Sequence, residues 1–332
     1  MAFIPGIASI ELLKMALGER GYTTQGLILN GRSFTVFTSP RGKVWCTSNA
    51  HIQYPFPTST ARPISDSKIL AYELADQLGI QYPKTVYVTD ENTETPGIED
   101  LMANGPVIVK PNNASLARGL TLNITDKITL KKAIDEAKVF SKAALVQEQV
   151  SGEEVRLAII NGQVVAALVR QTPRVIGDGQ SNLETLIARE NEQRRQLDLR
   201  FSTYPDLDAS IIDFSRFTME HIPAQGEVIE LGSSAMIRYG ASLFNISDTL
   251  HQSYKDEAVR LAEVLGDGFV VVDMFVQDYR QPAEKDNYHF IEFNMSPILV
   301  LFYSCRDGNN YDILAKLAPM IDIRLHQEGQ DD

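Results

Sequence analysis

Cysteine is scarce in this 332-residue chain, limited to Cys46 and Cys305. Two thiols so far apart exclude a disulfide framework and offer no metal-ligand spacing. They read as free thiols in a reducing compartment. His51, His221, His251, His289 and His326 are scattered, with no HxH or HExxH pair, which argues against a zinc site. Positive charge is also in deficit: 31 Lys and Arg against 43 Asp and Glu leave a net charge of −12. General nucleic-acid binding needs a basic surface that such a chain lacks, and an anionic membrane would repel it. No segment approaches the ~20 apolar residues of a membrane span. The start, Met1-Ala-Phe-Ile-Pro-Gly, shows no basic region leading into an apolar run. The expectation is a cytoplasmic protein with neither nucleic-acid nor membrane partners.

The rest is ordinary globular material, 44% hydrophobic and 22% charged, which excludes a disordered or collagen-like chain. Its length suggests two or three domains or one large one. An amphipathic helix runs from Ile7 to Arg20, with Ile10, Leu13 and Leu17 on one stripe and Gly21 as its stop. Short strands follow at 26–29, 33–38 and 43–46, then a Pro- and Thr-rich linker from Tyr54 to Pro63. A helix is expected from about Ser65 to Leu78, ended by Gly79. Strands at 85–88, 106–109, 120–124 and 143–148 surround a helix at 130–141. The Asn161-Gly162 turn predicts a hairpin joining 154–160 to 163–170. Further helices are expected at about 182–199, 247–265 and 311–325, with strands at 227–231, 269–276 and 288–293. Helices alternating with hairpins indicate a mixed α+β (α/β) fold.

Two constellations carry chemistry. Val107-Ile-Val-Lys110-Pro111 ends an apolar strand in a lysine, followed by the small polar loop Asn112 to Gly119. Such a lysine and loop can serve phosphate through a point charge and backbone N–H groups, or can be a hairpin loop with a surface lysine. Asp273 lies inside the apolar run Val270–Phe275, and Glu292 and Asn294 share one face of the next strand. Hard oxygen donors of this kind suit Mg²⁺; the alternatives are a buried polar network or an exposed strand face. A buried carboxylate is costly without a cation.

Taken in order, the motifs resemble the ATP-grasp carboxylate–amine ligases, and within them the branch of cyanophycin synthetase and the glutathione-synthesising bifunctional enzyme. Ser67-Lys68 opens a helix that ends in Gly79-Ile-Gln-Tyr-Pro83. Val107–Pro111 matches the lysine strand, and Gln147–Arg156 the hinge. Arg170-Gln-Thr-Pro-Arg-Val-Ile-Gly-Asp-Gly179 precedes Asn182-Leu-Glu-Thr-Leu-Ile187. Val272-Asp273 and Ile291-Glu-Phe-Asn-Met-Ser-Pro297 close the series. The resemblance covers about Ile64 to Tyr303.

It implies an ATP-grasp fold with a lid subdomain and a reduced N-terminal domain. The expected divisions are 1–63, the N-terminal part and linker; 64–148, the first ATP-grasp subdomain with the lid at about 85–148; and 149–326, the C-terminal subdomain with the metal and substrate site. The Glu154–Arg170 hairpin would belong to the lid over ATP. Lys68 and Lys110 would meet ATP phosphates. Gln147, Glu148 and Val150 would hold the adenine edge, Ile108 and Ile291 the base faces, and Glu154 the ribose. Asp273, Glu292 and Asn294 would bind Mg²⁺ (or Mn²⁺). Arg170, Arg238 and Lys110 would be catalytic, and Arg156, Arg170, Arg238, Tyr239 and Ser296 would face substrate. The implied reaction is ATP-dependent amide-bond formation through an acyl phosphate, on amino acids or short peptides, with a homodimer allowed. The alternatives are tailoring of a peptide or protein and a degenerate ATP-binding regulator. The chain departs from the pattern at Ser67, at Tyr72 in place of a second lysine, at Ala114 and Ala117 in place of loop glycines, and at Met236–Ala241. The apolar stretch Pro297–Tyr303 reads as core or as a substrate wall.

Overall fold

A computed structural model describes residues 5–56, 61–89, 96–114, 117–197, 203–266, 268–307 and 311–327. The chain divides into two compact units, each built from separated segments. One comprises Pro57–Glu153 and His251–Met295; the other comprises Met1–Phe56, Glu154–Leu250 and Ser296–Asp332. This grouping differs from three consecutive divisions, because the chain returns to an earlier core after a long excursion.

The first of these units contains a four-stranded antiparallel sheet in the order Thr85–Val88, Ala144–Glu148, Val107–Pro111, Thr121–Ile124. Side chains alternate across its faces. Val107, Val109, Ala144 and Val146 point to one side and pack with Leu101 of helix Ile98–Ala103 and with Leu130, Ala133 and Ala137 of helix Lys127–Lys138. Asp126 caps the latter helix by accepting from Ile128 N and Thr129 N. The opposite face therefore carries Ile108, Lys110, Leu145 and Gln147. The unit also holds helix Lys68–Gln77, helix Gln252–Glu263 and the antiparallel pair Phe269–Val276 and Tyr288–Asn294. Tyr72, buried in the first of these helices, stacks on Tyr82 at 4.9 Å and meets the Phe290 ring edge-on at 6.2 Å. Helix Gln252–Glu263 starts five residues later than its periodicity suggests, because the His251 side chain caps it by accepting from Ser253 N.

In the other unit, strands Thr23–Leu29, Arg32–Thr38 and Val44–Ser48 form an antiparallel sheet. Helix Pro5–Gly18 packs on a 3₁₀ turn at Leu299–Tyr303 and on helix Leu314–Gln327. Leu299, Val300, Leu301 and Phe302 are all buried, so the apolar stretch there is core. Tyr54 and Phe56 extend a stack from Phe37 and Trp45, which makes the start of the expected linker part of a packed aromatic row. Residues 57–60 of that linker lie outside the described residues. Strand Gln163–Gln171 pairs antiparallel with Glu153–Ile160 and with Ser242–Asn245. Asn161 (φ 47°) and Gly162 (φ 69°) form the turn of the first pairing, as a two-residue hairpin loop requires. Helix Leu183–Gln196 packs against the small ribbon of Arg174–Ile176 and Val228–Glu230.

Candidate active site

The oxygen donors are built by strand pairing. Asp273 and Glu292 are direct cross-strand partners, so their side chains leave the same face. Asn294, opposite Val271, lies two residues further along that face. The register slips between Asp273 and Met274, since Met274 pairs with Phe290 and leaves Ile291 as the extra residue. Such a bulge re-aims the side chains on either side of it. It lets Phe290 fill the core while Glu292 faces Asp273. Asp273 is only 2% exposed, and a buried carboxylate needs a cation or a set of donors. Among the described residues no group of three or more His, Cys, Asp or Glu is placed to hold a metal. The set here is two carboxylates and one amide. All three offer hard oxygens on one face, a donor set that fits a divalent cation shared with phosphate.

A lysine supplies nearby positive charge. Lys68 Nζ lies 3.1 Å from Glu292 Oε2 and donates to Ala114 O at 3.2 Å. Lys68 opens its helix because Ser67 is the N-cap, accepting from Leu70 N. Asn112, just beyond the lysine strand, completes the cap: its Oδ1 accepts from Ile69 N at 3.0 Å, and its carbonyl accepts from Lys68 N at 3.3 Å. The loop after Lys110 is thereby tied to the start of the Lys68 helix. In the same loop Ala117 adopts φ 55°, a left-handed conformation that costs a non-glycine residue about 1–2 kcal/mol. The alanine is accommodated with strain.

Lys110 is 8% exposed. Its Nζ donates to Tyr72 Oη at 3.0 Å and lies 5.5 Å above that ring. Gln147 Nε2 donates to the same phenol oxygen at 3.2 Å and to Thr85 Oγ1 at 2.7 Å. Burial pushes the Lys110 ammonium down to about 8, and the Glu292 carboxylate pulls the other way. Desolvation raises the Tyr72 hydroxyl well above the usual phenol range. At the strand end Glu148 is locked by its backbone and side chain together: its N–H donates to Lys84 O, and Oε1 accepts from Lys84 N at 2.7 Å. His289 Nε2 stands 4.0 Å from that carboxylate. Burial holds this imidazole below its usual range, and Glu148 opposes the shift.

Lys68, Ile108, Lys110, Gln147, Glu148, Val150, Asp273, Ile291, Glu292 and Asn294 thus all belong to one unit. Glu154, Arg156, Arg170, Arg238, Tyr239 and Ser296 belong to the other. There Glu154 and Arg170 face each other across the hairpin and form an ion pair. Arg170 Nε is buried without a hydrogen-bond partner among the described residues. Arg156 is buried, Ser296 half-buried, and Arg238 exposed with its guanidinium 4.7 Å over the Tyr239 ring. Their loop ends at Gly240 (φ 87°), whose carbonyl accepts from Arg194 Nη2 at 2.8 Å.

Sequence reasoning missed several of these groups. Tyr72 stood out only as a departure, and Asn112 only as a loop residue. Arg194 also donates from Nε to Glu190 Oε1 at 2.7 Å, and this pair carried a signal in its i,i+4 spacing on a helix. The pairing of Arg306 with Glu190 had none, since 116 positions separate them.

Comparison with known proteins agrees with this architecture. The model of the RimK-like ATP-grasp domain matches residues 65–236. That is just over half of the chain, and the chain belongs to this family, with its mixed helix-and-sheet ATP-grasp fold. Family membership brings ATP and a divalent metal with it. A bifunctional glutathione-biosynthesis protein of Streptococcus agalactiae is 26% identical over 83% of this chain and 39% of its own length. Its counterpart in Streptococcus mutans is 28% identical over 67% of this chain and 31% of its own. The crystal structure of a bifunctional glutathione synthetase from Pasteurella multocida superposes with a TM-score of 0.61 at 20% identity, covering 95% of this chain and 43% of that one. The chain spans less than half the length of these relatives. Among the described residues no helix is long and apolar enough to cross a membrane.

Proposed function

We propose that the chain is an ATP-dependent ligase joining a carboxylate to an amine, with an amino acid or short peptide as substrate. The observation that carries this reading is one cluster in one unit. Asp273 and Glu292 share a strand-pair face, and Lys68 bridges Glu292 to the loop behind Lys110. Carboxylates and lysines so arranged suit a metal–triphosphate better than either a bare anion or a bare cation.

In this reading Asp273, Glu292 and Asn294 hold Mg²⁺ (or Mn²⁺), which when bound neutralises phosphate charge. Lys68 and Lys110 bind phosphate oxygens. Ile108 and Ile291 flank the base, and Gln147, Glu148 and Val150 line its edge. A substrate carboxylate oxygen attacks the γ-phosphorus, and the bond from that phosphorus to ADP breaks. The amine nitrogen then attacks the acyl carbon of the resulting acyl phosphate, and the C–O bond to phosphate breaks, releasing phosphate and a proton. Such transfer needs positioning and positive charge more than acid–base groups. In the other unit, Arg156, Arg170, Arg238, Tyr239 and Ser296 are the groups suited to a substrate carboxylate. The relatives are named for biosynthesis, which weighs against a nucleotide-binding regulator.

The test is phosphate release from Mg-ATP across pools of amino acids and dipeptides, with a mass spectrum of each mixture. Release with a product one water lighter than its summed reactants is the expected result. ATP binding with no release from any pool would remove the small-substrate reading.

A further inference from the structure

The buried phenol of Tyr72 has no part in the scheme above, yet it meets two groups that do. Its oxygen accepts from Lys110 Nζ at 3.0 Å and from Gln147 Nε2 at 3.2 Å. Lys110 is assigned to phosphate and Gln147 to the adenine edge, so this inference rests on the ligase reading. We propose that Tyr72 is a positioning residue that couples the two ends of the nucleotide site, holding the phosphate lysine and the hinge glutamine on a single oxygen.

Three features favour this. The ring is fixed on both sides, stacked on Tyr82 at 4.9 Å and edge-on to Phe290 at 6.2 Å, so the oxygen has little freedom. Both lone pairs of the phenol are engaged by the two donors, so a shift of either donor disturbs the geometry of the other. Finally, the acceptor is neutral. A carboxylate at this position would pair with Lys110 and compete with phosphate for it. A second lysine would repel it. A phenol aims the ammonium through a hydrogen bond and leaves its charge for an incoming anion. Gln147 is held from its far side by Thr85 Oγ1, itself donating to Pro83 O. The chain of bonds thus runs from the lysine strand to the segment leading into strand Thr85–Val88.

The test is a double-mutant cycle on Mg-ATP affinity, using the full chain and displacement of a fluorescent ATP analogue. Tyr72→Phe keeps the ring and removes the oxygen. It should weaken ATP binding about tenfold in the parent and less than twofold in the Lys110→Met background. The KM for ATP should rise more than kcat falls. A phenol with a merely structural role would weaken ATP binding by the same factor in both backgrounds. That additive result, or no weakening in the parent, overturns the proposal. Should Tyr72→Phe not fold, the cycle between Lys110→Met and Gln147→Met takes its place. Coupling between those two supports the shared oxygen, and additivity overturns it. If the unaltered chain fails to bind Mg-ATP, the ligase reading falls and the coupling falls with it, an outcome distinct from additivity in a chain that binds.

Discussion

Each unit of this protein buries a charged cluster, and the two are solved in opposite ways. Around Glu190 every group is answered. Arg194 donates to Glu190 Oε1 at 2.7 Å, to Pro205 O, to Gly240 O and to Ser242 Oγ. Arg306 donates to both Glu190 oxygens, at 2.5 and 3.2 Å. Both guanidiniums lie within 6 Å of the Tyr204 ring. Around Lys110 a buried ammonium faces a neutral phenol, and Glu292, whose carboxylate also acts on it, is paired with Lys68. A fully satisfied network fixes a shape. Among the described residues the hydrogen-bond anchor of Lys110 is a neutral phenol, which leaves the cation for an anion that arrives later.

The sharpest way to break this contrast is at Glu190. Glu190→Ala leaves the buried Arg194 and the half-buried Arg306 without their carboxylate and should destabilise the fold by about 3–5 kcal/mol, measured by denaturant unfolding. A loss below about 1 kcal/mol would show that the network is ornamental. Glu292→Gln addresses the other cluster. Turnover should fall at least about 100-fold, roughly 2.7 kcal/mol of transition-state stabilisation, with unfolding nearly unchanged. Full activity in that variant would remove Glu292 from the metal set.

Lys110→Met gives the most diagnostic effect. A drop in the lysine pKa from 10.5 to about 8 corresponds to a burial cost of roughly 3 kcal/mol. Below pH 8 the lysine is charged in both folded and unfolded chains, so the whole cost is present. Between about 8 and 10.5 the folded chain releases the proton while the unfolded chain keeps it, and stability rises with pH. The methionine variant should therefore be more stable than the parent by up to about 3 kcal/mol at pH 7. Its advantage should shrink as the pH approaches 10.5. A variant less stable than the parent at pH 7 would show that Lys110 is a structural ion like Arg194.

Several parts of the nucleotide side were legible because they are local. The Val107–Pro111 strand and the shared face of Glu292 and Asn294 follow from spacing alone. The bulge at Ile291 was not legible, since it exists only where two strands pair. Nor was the Asn112 cap, which joins a loop to a helix more than 40 residues earlier. The expected linker holds the boundary between the two units, after Phe56, and its first residues pack through their aromatic rings, which prolines in the sequence do not reveal.

By itself the sequence determined which side chains are present, their alternation along strands and helices, and the ordered motifs that mark an ATP-grasp chain. Tertiary structure alone decided which oxygens face one another, which lysine is paired, and that Tyr72 stands between Lys110 and Gln147. Periodicity is a property of the backbone and can be read from one segment. Partnership is a property of the space between segments, and that space exists only once the chain has folded.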